Sequence, residues 1–239
     1  MVAAEVSPFS SVGGLSQVMY FLPRALAKLG HEVRVFTPKY GTLDEKKYPL
    51  SLLYKGLRVP TGEREGTKNL ECNVKSYRES SRDPQVFFLE NMEYYEQRSN
   101  VYGYNDDHIR FALLSRGALE FLRKDHWIPD VIHTNDWHTG YLVNDLRTRY
   151  AEDSRFSRTA TLLSVHNLHQ GWFDFSNASD LDFDDGKGSL SSFFSERLFK
   201  QNALKRGIIY SDAVNTVSET YAREILTEEF GAGLHNLIK

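Results

Sequence analysis

Short apolar runs alternate with longer stretches whose apolar residues recur at helical spacing, and this alternation continues along most of the chain. Short strands followed each by a helix build a parallel sheet with helices on both faces. Met1–Ala4 is apolar from its first residue and reads as the end of a strand whose beginning is missing. Val18 to Leu29 carries the helical period and stops at Gly30, a residue suited to a left-handed C-cap. Glu32–Thr37 is the next strand, closed by Pro38. Further strands are expected at Val86–Leu89, Val131–His133, Thr161–Val165 and Ala213–Val217, and helices over Asp106–Arg123, His138–Tyr150, Ser191–Tyr210 and onward from about Glu219. Leu50–Val59 and Leu70–Tyr77 alternate with period two around the turn Pro60-Thr61-Gly62, which predicts a small excursion of antiparallel or edge strands around residues 50–90. Residues 174–190 are rich in Asp, Ser and Gly, lack periodicity, and read as a mobile loop. The pattern is α/β and Rossmann-like, a single domain over residues 1–239.

A chain of 239 residues is long enough to bury one sizeable core. Its formal net charge of −3 gives no general attraction to nucleic acid or an anionic membrane. No apolar stretch approaches the roughly 20 residues that span a bilayer, and no signal peptide is visible. The one cysteine, Cys72, rules out an internal disulfide framework and fits a reducing, cytoplasmic setting. It sits in the alternating run Leu70–Tyr77, where a structural role is expected rather than a nucleophilic one.

In doubly wound sheets ligands gather beyond the carboxyl ends of the strands, and the unusual polar residues fall there. Ser11-Val12-Gly13-Gly14-Leu15 follows the first strand and opens a helix. Its glycines allow a ligand close to the backbone, and the helix N-terminus would offer free N–H groups to an anion. The same spacing also serves a tight turn with no ligand. It is not GxGxxG, which disfavours a dinucleotide. Asp136-Trp137-His138-Thr139 stands at the next strand-to-helix junction, where Asp136 can cap the helix, Trp137 can pack or stack on a sugar, and His138 can meet a sugar hydroxyl. His166-Asn167 ends the strand Thr161–Val165. Both side chains donate and accept, which suits sugar hydroxyls or the bracing of a loop. His133, inside its short strand, reads as a core histidine. His166 and His169 lack a matched carboxylate for zinc, Gly-x-Ser-x-Gly is absent, and Asp182-Phe183-Asp184-Asp185-Gly186 lacks the closing glutamate of a calcium loop. No metal site is expected.

Taken in order, these blocks resemble the bacterial and plant-type glycogen/starch synthases. The resemblance rests on Ala4-Glu5-Val6-Ser7-Pro8-Phe9 leading into Val12-Gly13-Gly14-Leu15, and on Leu22-Pro23-Arg24-Ala25-Leu26 through Gly30-His31-Glu32-Val33. It continues through Tyr102-Gly103 with Asp106-Asp107 and Arg110-Phe111, then Asp130-Val131-Ile132-His133 to Asp136-Trp137-His138, and Val165-His166-Asn167-Leu168 with Gln170-Gly171. It closes with Tyr210-Ser211-Asp212 to Tyr221-Ala222 and with Glu229-Phe230-Gly231-Ala232-Gly233-Leu234. It implies a GT-B architecture with the active site between two Rossmann-like domains, of which this chain is the N-terminal, acceptor-side one. The C-terminal, donor-binding domain would be absent and the chain inactive alone. The implied reaction transfers glucose from a nucleotide sugar to the end of an α-1,4-glucan or maltooligosaccharide, with retention of configuration and with no metal or other cofactor.

By the same resemblance His138 stands beside the transferred glucose. Val12, Gly13 and Gly14 face the donor, His166 and Asn167 line the acceptor side, and Tyr95, Tyr102 and Trp137 contact sugar. The family's usual lysine is Ser11 here and its usual aspartate is Gln17, so a donor cation is missing unless Arg24, Lys39 or another residue supplies it. ADP-glucose is expected ahead of UDP-glucose. The alternatives are another GT-B transferase acting on sucrose, trehalose or a surface glycan, and a non-catalytic glucan-binding module.

Overall fold

A computed structural model describes residues 1–62, 68–169, 171 and 184–239. The strands are β1 (Arg34–Pro38), β2 (Ser51–Pro60), β3 (Asn69–Tyr77), β4 (Gln85–Glu90), β5 (Val131–Asn135), β6 (Ala160–Val165) and β7 (Ala213–Thr216). They run in the order β2-β3-β4-β1 and β5-β6-β7. The seam between β1 and β5 is filled by the first residues of the chain, where Val2 bridges Phe36 on one side and Thr134 on the other, both parallel. β4, β1, β5, β6 and β7 are thus one parallel set. β3 lies antiparallel to both β4 and β2, which is the excursion the alternation around residues 50–90 predicts.

These strands exist because both of their faces are covered. Val35, Val86 and Phe88 pack in one cluster with Leu15 and Met19, while Phe36, Phe87 and Leu89 pack in the other with Phe111, Leu114 and Phe121. Successive side chains point to opposite faces, so an uninterrupted apolar run is what a strand sandwiched between helices requires. Each such side chain contributes roughly 1.5–3 kcal/mol by leaving water.

The first cluster rests on α1 (Gly14–Lys28), the second on α2 (Asp107–Lys124). α1 ends as its sequence predicts: Gly30 takes φ +95° and the His31 N–H folds back to Leu26 O at 3.2 Å. α3 (Gly140–Arg147) and α5 (Ala203–Tyr210) connect β5, β6 and β7, and α4 (Glu196–Phe199), α6 (Glu219–Glu224) and α7 (His235–Ile238) are shorter.

Three expectations change. The helix expected over Ser191–Tyr210 is broken: Ser195 caps α4, Asn202 caps α5 by accepting from Lys205 N, and the preceding segment is held elsewhere because Phe193 N donates to Thr61 O at 2.9 Å. The helix expected over His138–Tyr150 begins as a tight turn, Trp137–Thr139, and α3 ends at Arg147. Of the loop expected at 174–190, residues 174–183 lie outside the described residues, and with them Asp182 and Phe183 of the Asp182–Gly186 run. The remainder is irregular but anchored, since Asp184 receives two bonds from Arg206, at 2.7 and 2.9 Å. Among the described residues no helix is long and apolar enough to cross a membrane.

Candidate functional site

The parallel strands end along one rim, and each delivers a polar or exposed residue there. Glu5 follows the first strand, Asp136 follows β5, His166 follows β6 and Val217 follows β7. With the start of α1 and the stretch Tyr102–Asp107 they enclose a cavity of about 690 Å³. Val12, Gly13, Gly14, Tyr102, Trp137, His138, His166 and Asn167 all line it. A second cavity of about 440 Å³ lies at the opposite ends of the strands around Met1, Val33, Phe121, Trp127 and Ile132, and is mostly apolar. The convergence of polar groups marks the first as the site.

Glu5 organises the glycine turn. Its buried carboxylate accepts from Val12 N at 2.5 Å and from Gly13 N at 3.1 Å. The free N–H groups expected at Val12 and Gly13 are therefore already occupied by an internal anion. That role is missed by spacing alone; the available signal is a lone carboxylate directly after the apolar run Val2–Ala4.

Asp136 is the second residue whose role differs from expectation. Its side chain makes no cap on the following turn. It reaches across to β6 instead, where Oδ1 accepts from His166 N at 2.7 Å and Asn167 N at 3.3 Å. Its backbone sits at φ 57°, ψ −176°, a region nearly restricted to glycine, at a cost of about 1–3 kcal/mol. Burial pushes its carboxyl up to about 6, against the pull of those two N–H groups. Thr139 fastens the same turn, its hydroxyl accepting from Asn135 N at 2.6 Å and donating to Asn135 O at 2.9 Å.

This scaffold aims the histidines. His138 is wedged among Trp137, Tyr102 and Phe111, with ring centroids 4.2, 4.7 and 4.7 Å away. Burial, then its neighbours His169 and Arg110, hold it well below the usual histidine range, so it is neutral. Its Nδ1 is buried and has no hydrogen-bond partner among the described residues. His166 Nε2 lies 3.1 Å from Asn135 Oδ1, while Asn135 Nδ2 donates to Val2 O at 3.0 Å. That orientation of the amide puts the proton on His166 Nε2 and leaves Nδ1 an acceptor. Burial lowers the His166 pKa, opposed by Glu5. Asn167 is exposed, and its side chain accepts from His169 N at 2.9 Å, so it also braces its own loop. Trp137 is mostly a floor: Gly171, at φ +72°, lies so close that an added Cβ would stand 2.4 Å from the indole.

Tyr95 is corrected. It is fully buried, its hydroxyl donates to Arg110 O at 2.7 Å, and it does not line the cavity. Neither suggested substitute cation reaches the cavity either. Lys39 is paired with Glu45 and Glu96, and Arg24 with Asp83 and Glu79. Among the described residues no lysine or arginine lines the cavity, whereas Glu5, Asp107 and Asp136 do. Such a wall suits hydroxyls better than a diphosphate. His133 donates or accepts at Ser164 Oγ, 2.6 Å away, and stays in the core as expected. Among the described residues no three metal-ligating side chains are grouped.

The fold and cavity define a Rossmann-like domain with a polar cavity beyond the carboxyl ends of its parallel strands. Residues 1–239 match the family model described as starch synthase catalytic domain. The chain is 36% identical over 250 residues to the glycogen synthase of Geotalea daltonii, covering 99% of this chain and 48% of that protein. It is 40% identical over 252 residues to the glycogen synthase of Myxococcus xanthus, covering 100% and 50%. Its structure is similar to the catalytic domain of starch synthase IV from Arabidopsis thaliana bound to ADP and acarbose, with TM-score 0.80 and 28% identity, over 98% of this chain and 48% of that one. The chain belongs to the starch synthase catalytic domain family. It spans about half the length of the curated relatives it matches.

Proposed function

We propose that this chain is the N-terminal, acceptor-side domain of a retaining α-1,4-glucan synthase, and that it works with a donor-binding domain it does not itself contain. The observation that carries the reading is the neutral, wedged His138, whose buried Nδ1 has no partner among the described residues and stands on the wall of a cavity rich in hydroxyl-binding groups. A buried polar atom left unpaired costs about 1–3 kcal/mol, a cost that a sugar hydroxyl placed against it removes. The rest of the wall divides by chemistry. His166 and Asn167 offer both acceptors and donors to the acceptor sugar, and Tyr102 offers a ring face. Val12, Gly13 and Gly14, held in shape by Glu5, give the donor a close approach to backbone.

The lack of lysine and arginine among the described residues of this wall supports a donor diphosphate held mainly by another domain. ADP-glucose is the proposed donor, consistent with the ADP in the Arabidopsis thaliana structure. The chain's contribution is then positioning and the support of charge that develops at the transferred glucose. A cytoplasmic location goes with this reading, supported by the single buried Cys72.

The test has two parts. The 239-residue chain should bind maltooligosaccharide and fail to turn over ADP-glucose; robust turnover by the chain alone overturns the two-domain reading. In the complete enzyme His138→Ala should lower kcat at least ~100-fold, the signature of an interaction made in the transition state. A variant within threefold of wild type removes His138 from the site. An enzyme that binds glucan yet transfers no glucose from any nucleotide sugar would favour the non-catalytic glucan-binding alternative.

A further inference from the structure

The end of β5 grips His166 twice. Asp136 holds its backbone, accepting from His166 N at 2.7 Å. Asn135 holds its ring, with Oδ1 at 3.1 Å from Nε2, and among the described residues the ring has no other hydrogen-bond partner. Asn135 is fully buried, and its amide has one workable orientation. Nδ2 donates to Val2 O at 3.0 Å, and a backbone carbonyl only accepts. Exchanging the amide's oxygen and nitrogen would set two acceptors against each other. The Thr139 hydroxyl fastens the main chain beside it, accepting from Asn135 N at 2.6 Å and donating to Asn135 O at 2.9 Å. The relay therefore runs one way. Val2 O in the first strand orients Asn135 in β5, Asn135 Oδ1 accepts from Nε2–H of His166 beyond β6, and Nδ1 keeps a lone pair. Burial lowers the His166 pKa, against the pull of Glu5, so the ring is neutral at pH 7 and has a single proton to place. His133, two residues earlier on the same face of β5, takes no part: its ring meets Ser164 Oγ at 2.6 Å, which donates to Asn215 Oδ1 at 2.6 Å.

We propose that Asn135 is a positioning residue of the candidate site: it fixes His166 in a single tautomer, so that the ring meets the cavity with a bare Nδ1 and selects a sugar hydroxyl that donates its hydrogen there. The inference rests on the glucan-synthase reading above. The His166 ring lines the cavity, whereas Asn135 does not and acts only through it. A histidine free to move its proton meets a hydroxyl either way and discriminates little. A histidine whose proton is committed elsewhere discriminates, because a group that only accepts would leave two lone pairs facing each other in a half-buried place. The amide, the ring and the turn at Thr139 are set before any ligand arrives, so little side-chain entropy is lost on binding.

Nitrogen NMR of the 239-residue chain, labelled at its histidines, reads the tautomer directly, and His166→Gln identifies the His166 signals by their loss. At pH 7 wild-type His166 should carry its proton on Nε2 alone. A proton on Nδ1, or an even mixture of the two forms, overturns the proposal and leaves the glucan reading standing. On addition of maltoheptaose the bare Nδ1 signal should shift as it accepts a hydrogen bond; an unmoved Nδ1 in a chain that binds maltoheptaose by calorimetry also overturns it. Neither measurement depends on a variant that folds. Asn135→Ala should admit the second tautomer and weaken maltoheptaose at least about tenfold. Asn135→Asp separates tautomer control from simple bracing. Its carboxylate still accepts from Nε2–H, but its charge favours the imidazolium, in which Nδ1 donates as well. Asn135→Asp should therefore weaken maltoheptaose as much as Asn135→Ala, and wild-type affinity in either variant contradicts the proposal. If the wild type binds no maltoheptaose, the glucan reading itself fails and takes this one with it.

Discussion

Asp136 concentrates at one residue what the site demands of its scaffold. It carries a backbone conformation that a glycine would adopt more cheaply, and it keeps a carboxylate because the carboxylate ties the end of β5 to the His166 and Asn167 N–H groups. The stability consequence has a definite sign. Its folded pKa, about 6, lies above the ordinary 3.8. The contribution is therefore fully present below about pH 4 and is lost as pH rises through about 6, amounting to about 3 kcal/mol at 1.36 kcal/mol per unit. Asp136→Asn removes the titration. Denaturant unfolding at pH 4 and pH 7 should show wild type gaining on the variant as pH falls; a constant difference between the two proteins contradicts the assignment. The sequence offers Asp136 only as a helix cap, because a bond from one strand end to another 30 residues away leaves no mark in local spacing. Glu5 and Tyr95 teach the same lesson in opposite directions. A carboxylate without an assigned task proves to hold the glycine turn, and a tyrosine assigned to sugar proves to be core.

Elements were legible where the hydrophobic period was unbroken, and the limits of α1 and β1 differ little from those the pattern implies. They were less legible where packing overrides propensity. The segment Ser191–Tyr210 has helical composition, yet side-chain caps at Ser195 and Asn202 and the bond from Phe193 to Thr61 split it. α5 is in turn placed by two glycines that no periodicity singles out. A Cβ at Gly140 would stand 2.0 Å from Ala203 O, and one at Gly207 would stand 3.0 Å from Gly140 Cα. The α3–α5 contact is therefore backbone against backbone. Gly140→Ala should destabilise the chain by about 2–3 kcal/mol despite its better helix propensity, since the overlap is with a carbonyl that cannot rotate away. Thermal melting checks this, and a variant as stable as wild type would show that α5 can shift freely.

At the scale of the whole molecule the seam is Arg116. Its guanidinium is fully buried and bonds Asp145 twice, at 2.8 and 3.2 Å, so α2 is joined to α3. It also donates to Pro60 O at 2.7 Å and lies 4.5 Å over Phe193, which draws in the end of β2 and the segment before α4. Arg116→Met leaves the buried Asp145 carboxylate only the longer contact with Arg149, at 3.8 Å, and should cost about 3 kcal/mol in urea unfolding. Arg116→Met with Asp145→Leu should recover much of that, and a double variant no better than the single one would show that the ion pair is not what holds the seam. By itself the sequence determined the strand and helix alternation, the parallel sheet with its excursion at residues 50–90, and the polar residues at the strand ends, because local period and turn chemistry record these. Tertiary structure alone decided which of those residues share a wall, that Glu5 already occupies the turn's N–H groups, that Lys39 and Arg24 are engaged elsewhere, and that Tyr95 is interior. Each of those is a contact between residues far apart in the chain, and such contacts are selected by the packing of the whole sheet rather than by the residues beside them.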